Sequence, residues 1–168
     1  TPYWVSYGDQ VKMAEGVPVF VQAKEDNHFK VTVEQLEAAR TDKTKVLVLN
    51  SPSNPTGMIY TREELLAIGN WAVGHDVLIL ADDIYGRLVY NGNEFVPISS
   101  LSEAIRKQTI VINGVSKAYA MTGWRVGYAV GDPEIIAAMS KLTGQTTSNL
   151  TAVSQYAAIE ALTGPQDS

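Results

Sequence analysis

Apolar positions recur along this chain in two alternating rhythms, short β-branched runs and longer stretches at helical spacing. Val17 to Ala23 (VPVFVQA) alternates, so it reads as a strand, with Pro18 placing it at a strand start or a sheet edge. Lys45 to Asn50 (KVLVLN), Val77 to Ala81 (VLILA) and Thr109 to Asn113 (TIVIN) are continuous apolar runs, the pattern of strands buried on both faces. Between them lie helical patterns. Val33, Leu36 and Ala39 follow Thr32, and Leu65, Ile68, Trp71 and Ala72 follow Thr61. In each case a Gln or Glu three residues after the threonine completes a capping box. Strands alternating with helices predict an α/β fold, a mostly parallel sheet with helices on both faces, in which all four strands run parallel. Val126 to Val130 adds one further strand, and from Pro133 a single helical pattern runs to about Leu162.

The loops at the carboxyl ends of parallel strands are where such sheets hold ligands, and here they are rich in chemistry. After the second run stands Ser51-Pro52-Ser53-Asn54-Pro55-Thr56-Gly57, a cluster of turn formers. The third run ends in Asp82-Asp83-Ile84-Tyr85, and the fourth leads into Gly114-Val115-Ser116-Lys117, with Arg125 eight positions further on. Lys117 offers an amine to a carbonyl compound, and Arg125 a planar cation suited to a phosphate dianion. Amine and phosphate grip together point to pyridoxal phosphate. Successive strand side chains face opposite ways, so only one of Asp82 and Asp83 can serve a given ligand. Asp82 is assigned to a pyridine nitrogen, where a carboxylate keeps the ring protonated, and Asp83 to capping the next turn. Tyr85 and Asn54 could donate to a ring oxygen, although a half-buried core tyrosine and a turn asparagine explain them equally. Ser116 could bind phosphate or merely turn the chain, and Trp4 could stack on a ring or pack the core.

Composition narrows the class. The 168 residues are 45% hydrophobic, enough for one domain with a core. A net charge of -5 without a basic cluster argues against nucleic acid, and no apolar run is long enough to span a membrane. There is no cysteine, which fits a reducing compartment, and cytoplasm is the expectation. His28 and His75 stand apart with no metal-ligand spacing, so no metal site is expected. Nucleotide-binding GxxxxGK[ST] and GxGxxG motifs and the hydrolase motif GxSxG are absent.

Four stretches in order, PYWVSY at 2–7, NSPSNPTG at 50–57, ADDIY at 81–85 and NGVSKAYAMTGWRVGYAVG at 113–131, resemble the class I pyridoxal-phosphate aminotransferases of the aspartate aminotransferase fold. The resemblance covers essentially the whole chain. It implies that Lys117 is the Schiff-base lysine and general base, Asp82 the pyridinium partner, and Tyr85 and Asn54 the ring-oxygen donors. Arg125 and Ser116 are then phosphate ligands and Trp4 the stacking aromatic, with Trp4 and Asn54 also bordering the substrate. It further implies a cis bond at Asn54-Pro55, and transfer of an amino group between an L-amino acid, aspartate foremost, and a 2-oxo acid such as 2-oxoglutarate, in a homodimer. Gly114 departs from the pattern, since many relatives carry a phosphate-binding hydroxyl there. The chain starts without methionine and stops after a helical pattern, so it reads as residues 1–168 of the central part of the large cofactor-binding domain, the small domain absent and the piece alone inactive. A carbon-sulfur β-lyase using the same residues, and a ligand-sensing domain of a transcriptional regulator, are the alternatives.

Overall fold

The computed structural model describes residues 1–166. Its centre is a four-stranded sheet of β1 (Val46–Asn50), β2 (Leu78–Asp82), β3 (Thr109–Gly114) and β4 (Gly127–Val130), in the order β1-β2-β3-β4. The first three are parallel, in a register that sets Asn50 beside Asp82 and Asp82 beside Ile112. β4 is antiparallel to β3, with Gly114 opposite Gly127. The mostly parallel sheet therefore stands, but the strand count behind it changes. Val17 to Ala23 is extended without being a strand: the Thr1 amino group donates to the Val21 carbonyl and Ala23 N–H to Thr1, and no neighbouring strand offers a ladder. Alternation without a partner leaves Val17, Val19 and Phe20 exposed.

The helices are α1 (Ser6–Met13), α2 (Val33–Ala39), α3 (Arg62–Gly74), α4 (Glu103–Lys107), α5 (Val115–Ala118), α6 (Pro133–Thr146) and α7 (Ala152–Thr163). Both expected capping boxes form, Thr32 with Gln35 and Thr61 with Glu64, each satisfying donors that a helix start leaves free. The long pattern after Pro133 splits into α6 and α7, because Thr147, Ser148 and Asn149 favour turns over helix and Ser148 enters the left-handed region at φ 60°. The main core gathers Leu36 of α2, Leu65, Ile68 and Ala72 of α3, Ile79 and Ala81 of β2 and Ile105 of α4. These residues occupy one face of the sheet. A smaller cluster of Val115, Val126 and Ala158 joins α5 and α7. Period-2 alternation then sends Asp82 to the face opposite Ile79 and Ala81, and there α1 meets it.

Candidate active site

The carboxyl ends of β1, β2 and β3 lie side by side, so the three chemistry-bearing loops open at one edge of the sheet. Asn50, the last residue of β1, organises this edge: its side-chain amide donates to the Asp82 carbonyl at 2.9 Å and its side-chain oxygen accepts from Asn54 N–H at 2.8 Å. Asn54 is thereby fixed within a turn whose bonds before Pro52 and Pro55 are both cis, the second as the resemblance implies. The Asn54 amide donates to the Tyr85 hydroxyl at 3.3 Å. Lys117, half-buried on α5, holds its Nζ 5.8 Å from the centre of the Tyr85 ring. A cation over an aromatic face at that distance is attracted to the ring quadrupole.

Asp82 is held at both oxygens. Its Oδ1 accepts from Ile84 N–H at 3.2 Å and its Oδ2 from the Tyr7 hydroxyl at 2.5 Å. The turn after β2 is thus capped by Asp82 itself. Asp83, expected in that role, turns to the other face and is buried there, because alternation continues one residue past the strand. Tyr7 was not singled out from the sequence, although it closes the PYWVSY stretch. Its spacing from Trp4 was the available signal: the two rings meet edge to face, 5.4 Å apart, at the start of α1. Burial, and then the bond to Asp82, push the Tyr7 hydroxyl well above the usual tyrosine range, so it stays a proton donor at any ordinary pH.

The remaining expected residues make no direct bond to this group. Trp4 is 41% exposed and in contact with Tyr7. Ser116 precedes Lys117 on α5 with its side chain half-buried. Arg125 is exposed, sits in the left-handed region at φ 57° and donates from Nη1 to the Thr122 carbonyl at 2.9 Å. The structure also explains the departure at 114. A Cβ added to Gly114 would stand 2.6 Å from the Val126 carbonyl oxygen, so the close approach of β4 excludes a hydroxyl-bearing side chain. No group of three or more metal-ligating side chains occurs among the described residues.

The sequence pattern of the family described as aminotransferase class I and II matches residues 1–168. The chain belongs to that family. Among curated relatives, an asparagine–oxo-acid transaminase of Streptococcus mutans is 75% identical over 99% of this chain and 42% of its own length. An aspartate aminotransferase of Geobacillus stearothermophilus is 57% identical over 99% of this chain and 42% of its own. A crystal structure of the Rhizobium meliloti aspartate aminotransferase superposes with a TM-score of 0.96 at 45% identity, covering 99% of this chain and 42% of that one. The chain thus spans about 42% of the length of these class I and II aminotransferases. Pyridoxal phosphate is the cofactor of the aspartate aminotransferase family, and the donor set here fits it: an amine, a carboxylate held at both oxygens, a phenol joined to an amide, and a guanidinium.

Proposed function

We propose that residues 1–168 form the cofactor-holding part of a pyridoxal-phosphate aminotransferase, a longer cytoplasmic homodimer that moves an amino group from an L-amino acid to a 2-oxo acid. The observation that carries this reading is the convergence at one sheet edge of Lys117, Tyr85, Asn54 and an Asp82 gripped by Tyr7. Pyridoxal phosphate, when bound, supplies an aldehyde that takes up the amino group and a protonated ring that accepts the electron pair released at the α-carbon. Lys117 would anchor the cofactor through Nζ and would act as the general base that takes the substrate's α-proton. Asp82 would hold the proton on the ring nitrogen. Tyr85 and Asn54 would donate to the ring oxygen, Arg125 and Ser116 would hold the phosphate, and Trp4 would cover the ring and, with Asn54, border the substrate.

Aspartate is the proposed amino donor, with 2-oxoglutarate as acceptor. A specific observation favours a second donor, its amide asparagine, because the 75% identical relative is named for asparagine. The test is to purify the longer protein containing this chain with pyridoxal phosphate, reduce it with borohydride and map the modified peptide. A visible absorption band and a single adduct on Lys117, both lost in Lys117→Ala, are expected. A band retained in that variant, or labelling spread over several lysines, overturns the assignment. Amino transfer from aspartate and asparagine, compared in the same preparation, then separates the two donors.

A further inference from the structure

Among the described residues, Asp83 is the one buried charged side chain, and the proposed chemistry leaves it idle. It is only 6% exposed, and its neighbours offer it no side-chain partner: burial, and then the adjacent Asp82, raise its carboxyl to about 7. Its backbone is satisfied, N–H to the Ile112 carbonyl at 2.9 Å and carbonyl to Gly86 N–H at 2.9 Å, so the side chain alone is left over. An acid this little exposed with no side-chain partner invites one where its carboxyl group can be reached.

The carboxylate is not sealed in. It lines a cleft of about 290 Å³ together with Arg87, Phe95, Asn113, Tyr119 and Tyr128. Lys117, Asn54 and Tyr85 are not on its walls, so it is distinct from the candidate active site. Arg87, the cation already in the cleft, is engaged elsewhere. Its guanidinium lies 5.2 Å from the centre of the Tyr119 ring and donates to the Gln166 side-chain oxygen at 2.5 Å, and Tyr119 donates to that same oxygen at 3.0 Å. The Tyr128 hydroxyl is pushed up by burial first and then by Tyr119, with Arg87 opposing and Asp83 adding a little, so it stays neutral. The charged and titratable groups around Asp83 are therefore Asp82, Arg87, Tyr119 and Tyr128. Their balance leaves room for one more positive charge.

Resting on the reading that this chain is part of a longer aminotransferase, we propose that the cleft receives a cationic side chain, arginine or lysine, from a segment of that polypeptide outside residues 1–168, and that this cation pairs with Asp83. Two observations favour this occupant. The chain spans about 42% of its relatives' length, so more than half of a relative lies outside it. Its net charge of -5 attracts a positive segment.

The test uses the longer protein with its cofactor bound, comparing wild type with Asp83→Asn in thermal unfolding at pH 6 and pH 8. A paired Asp83 is ionised at both values, and the neutral amide leaves a buried cation unmatched. The expected result is a lower melting temperature at both pH values, by about 5 °C or more. An unchanged or higher melting temperature in Asp83→Asn, with the gain larger at pH 8, would show an unpaired acid and overturn the proposal. Should the variant fail to fold, carbodiimide coupling of an amine to the wild type at pH 6 decides: Asp83 unmodified supports a covered ion pair, and Asp83 modified overturns it. The cofactor's absorption band, recorded on the same samples, reports separately on the aminotransferase reading.

Discussion

At the scale of single residues, the hydroxyl of Tyr7 is the contact that most changes how the site is understood. Asp82 accepts from Tyr7 at one oxygen and from Ile84 N–H at the other, and the two bonds fix the direction in which its carboxyl group points. A hydrogen bond to a charged acceptor is worth about 1.5–3 kcal/mol, at least roughly a tenfold change in an equilibrium. Tyr7→Phe in the longer protein is therefore expected to weaken pyridoxal phosphate binding about tenfold, measured by titrating the cofactor-free protein, while the fold is kept. Unchanged affinity would mean that Ile84 N–H alone holds Asp82. Lys117, Asp82, Tyr85 and Asn54 were legible beforehand because each follows a strand run at a carboxyl end. The bond from Tyr7 to Asp82 was not, since the two stand 75 residues apart and the nearby Trp4 marks only an aromatic pair.

At the scale of elements, α2 and α3 are fastened by one exposed carboxylate. Glu37 accepts from Arg40 at 2.9 Å and from the Trp71 indole N–H at 2.8 Å, and the His75 ring lies 3.2 Å away. The Arg40 bonds first, and then Trp71, hold its carboxyl down at about 2. A group depressed on folding contributes stability that is present above its unfolded pKa of about 4.5 and is lost as pH falls toward 2. Glu37→Gln is thus expected to lower the urea midpoint at pH 6 and to match wild type by pH 2, in equilibrium unfolding monitored by circular dichroism. A gap that persists at pH 2 would assign the effect to packing. Helices α2 and α3 were readable to their caps because a capping box is a local signal. Val17 to Ala23 misled because alternation records a preference for extended backbone, and only a neighbouring strand makes extended chain a strand.

For the whole molecule, the apolar surface is uneven. No residue of α6 is buried, Met139 and Leu142 face outward, and α7 exposes Val153, Tyr156, Ile159 and Leu162. The outer strands β1 and β4 have free edges among the described residues, with Val46 and Val130 exposed. Surface of this kind promotes association. Expressed by itself, the 168-residue chain is expected to self-associate with rising concentration in sedimentation velocity, and Leu142→Glu with Ile159→Lys to shift it toward monomer. A chain that stays monomeric without these changes would show that the faces are covered internally. No helix among the described residues is long and apolar enough to cross a membrane, so this apolar surface is not that of a spanning helix.

By itself the sequence determined what depends on neighbours in the chain: three buried strand runs, two capped helices, and the acid, amine, phenol and amide that end or follow those runs. These are legible because periodicity, capping and turn chemistry act over a few residues. Only the tertiary structure decided which carboxylate of the Asp82-Asp83 pair meets Tyr7, that β4 runs antiparallel and excludes a side chain at 114, and that Asp83 opens into a second cleft. Those outcomes turn on contacts between residues tens of positions apart, where pleat direction, strand pairing and burial are settled by packing and not by any local pattern.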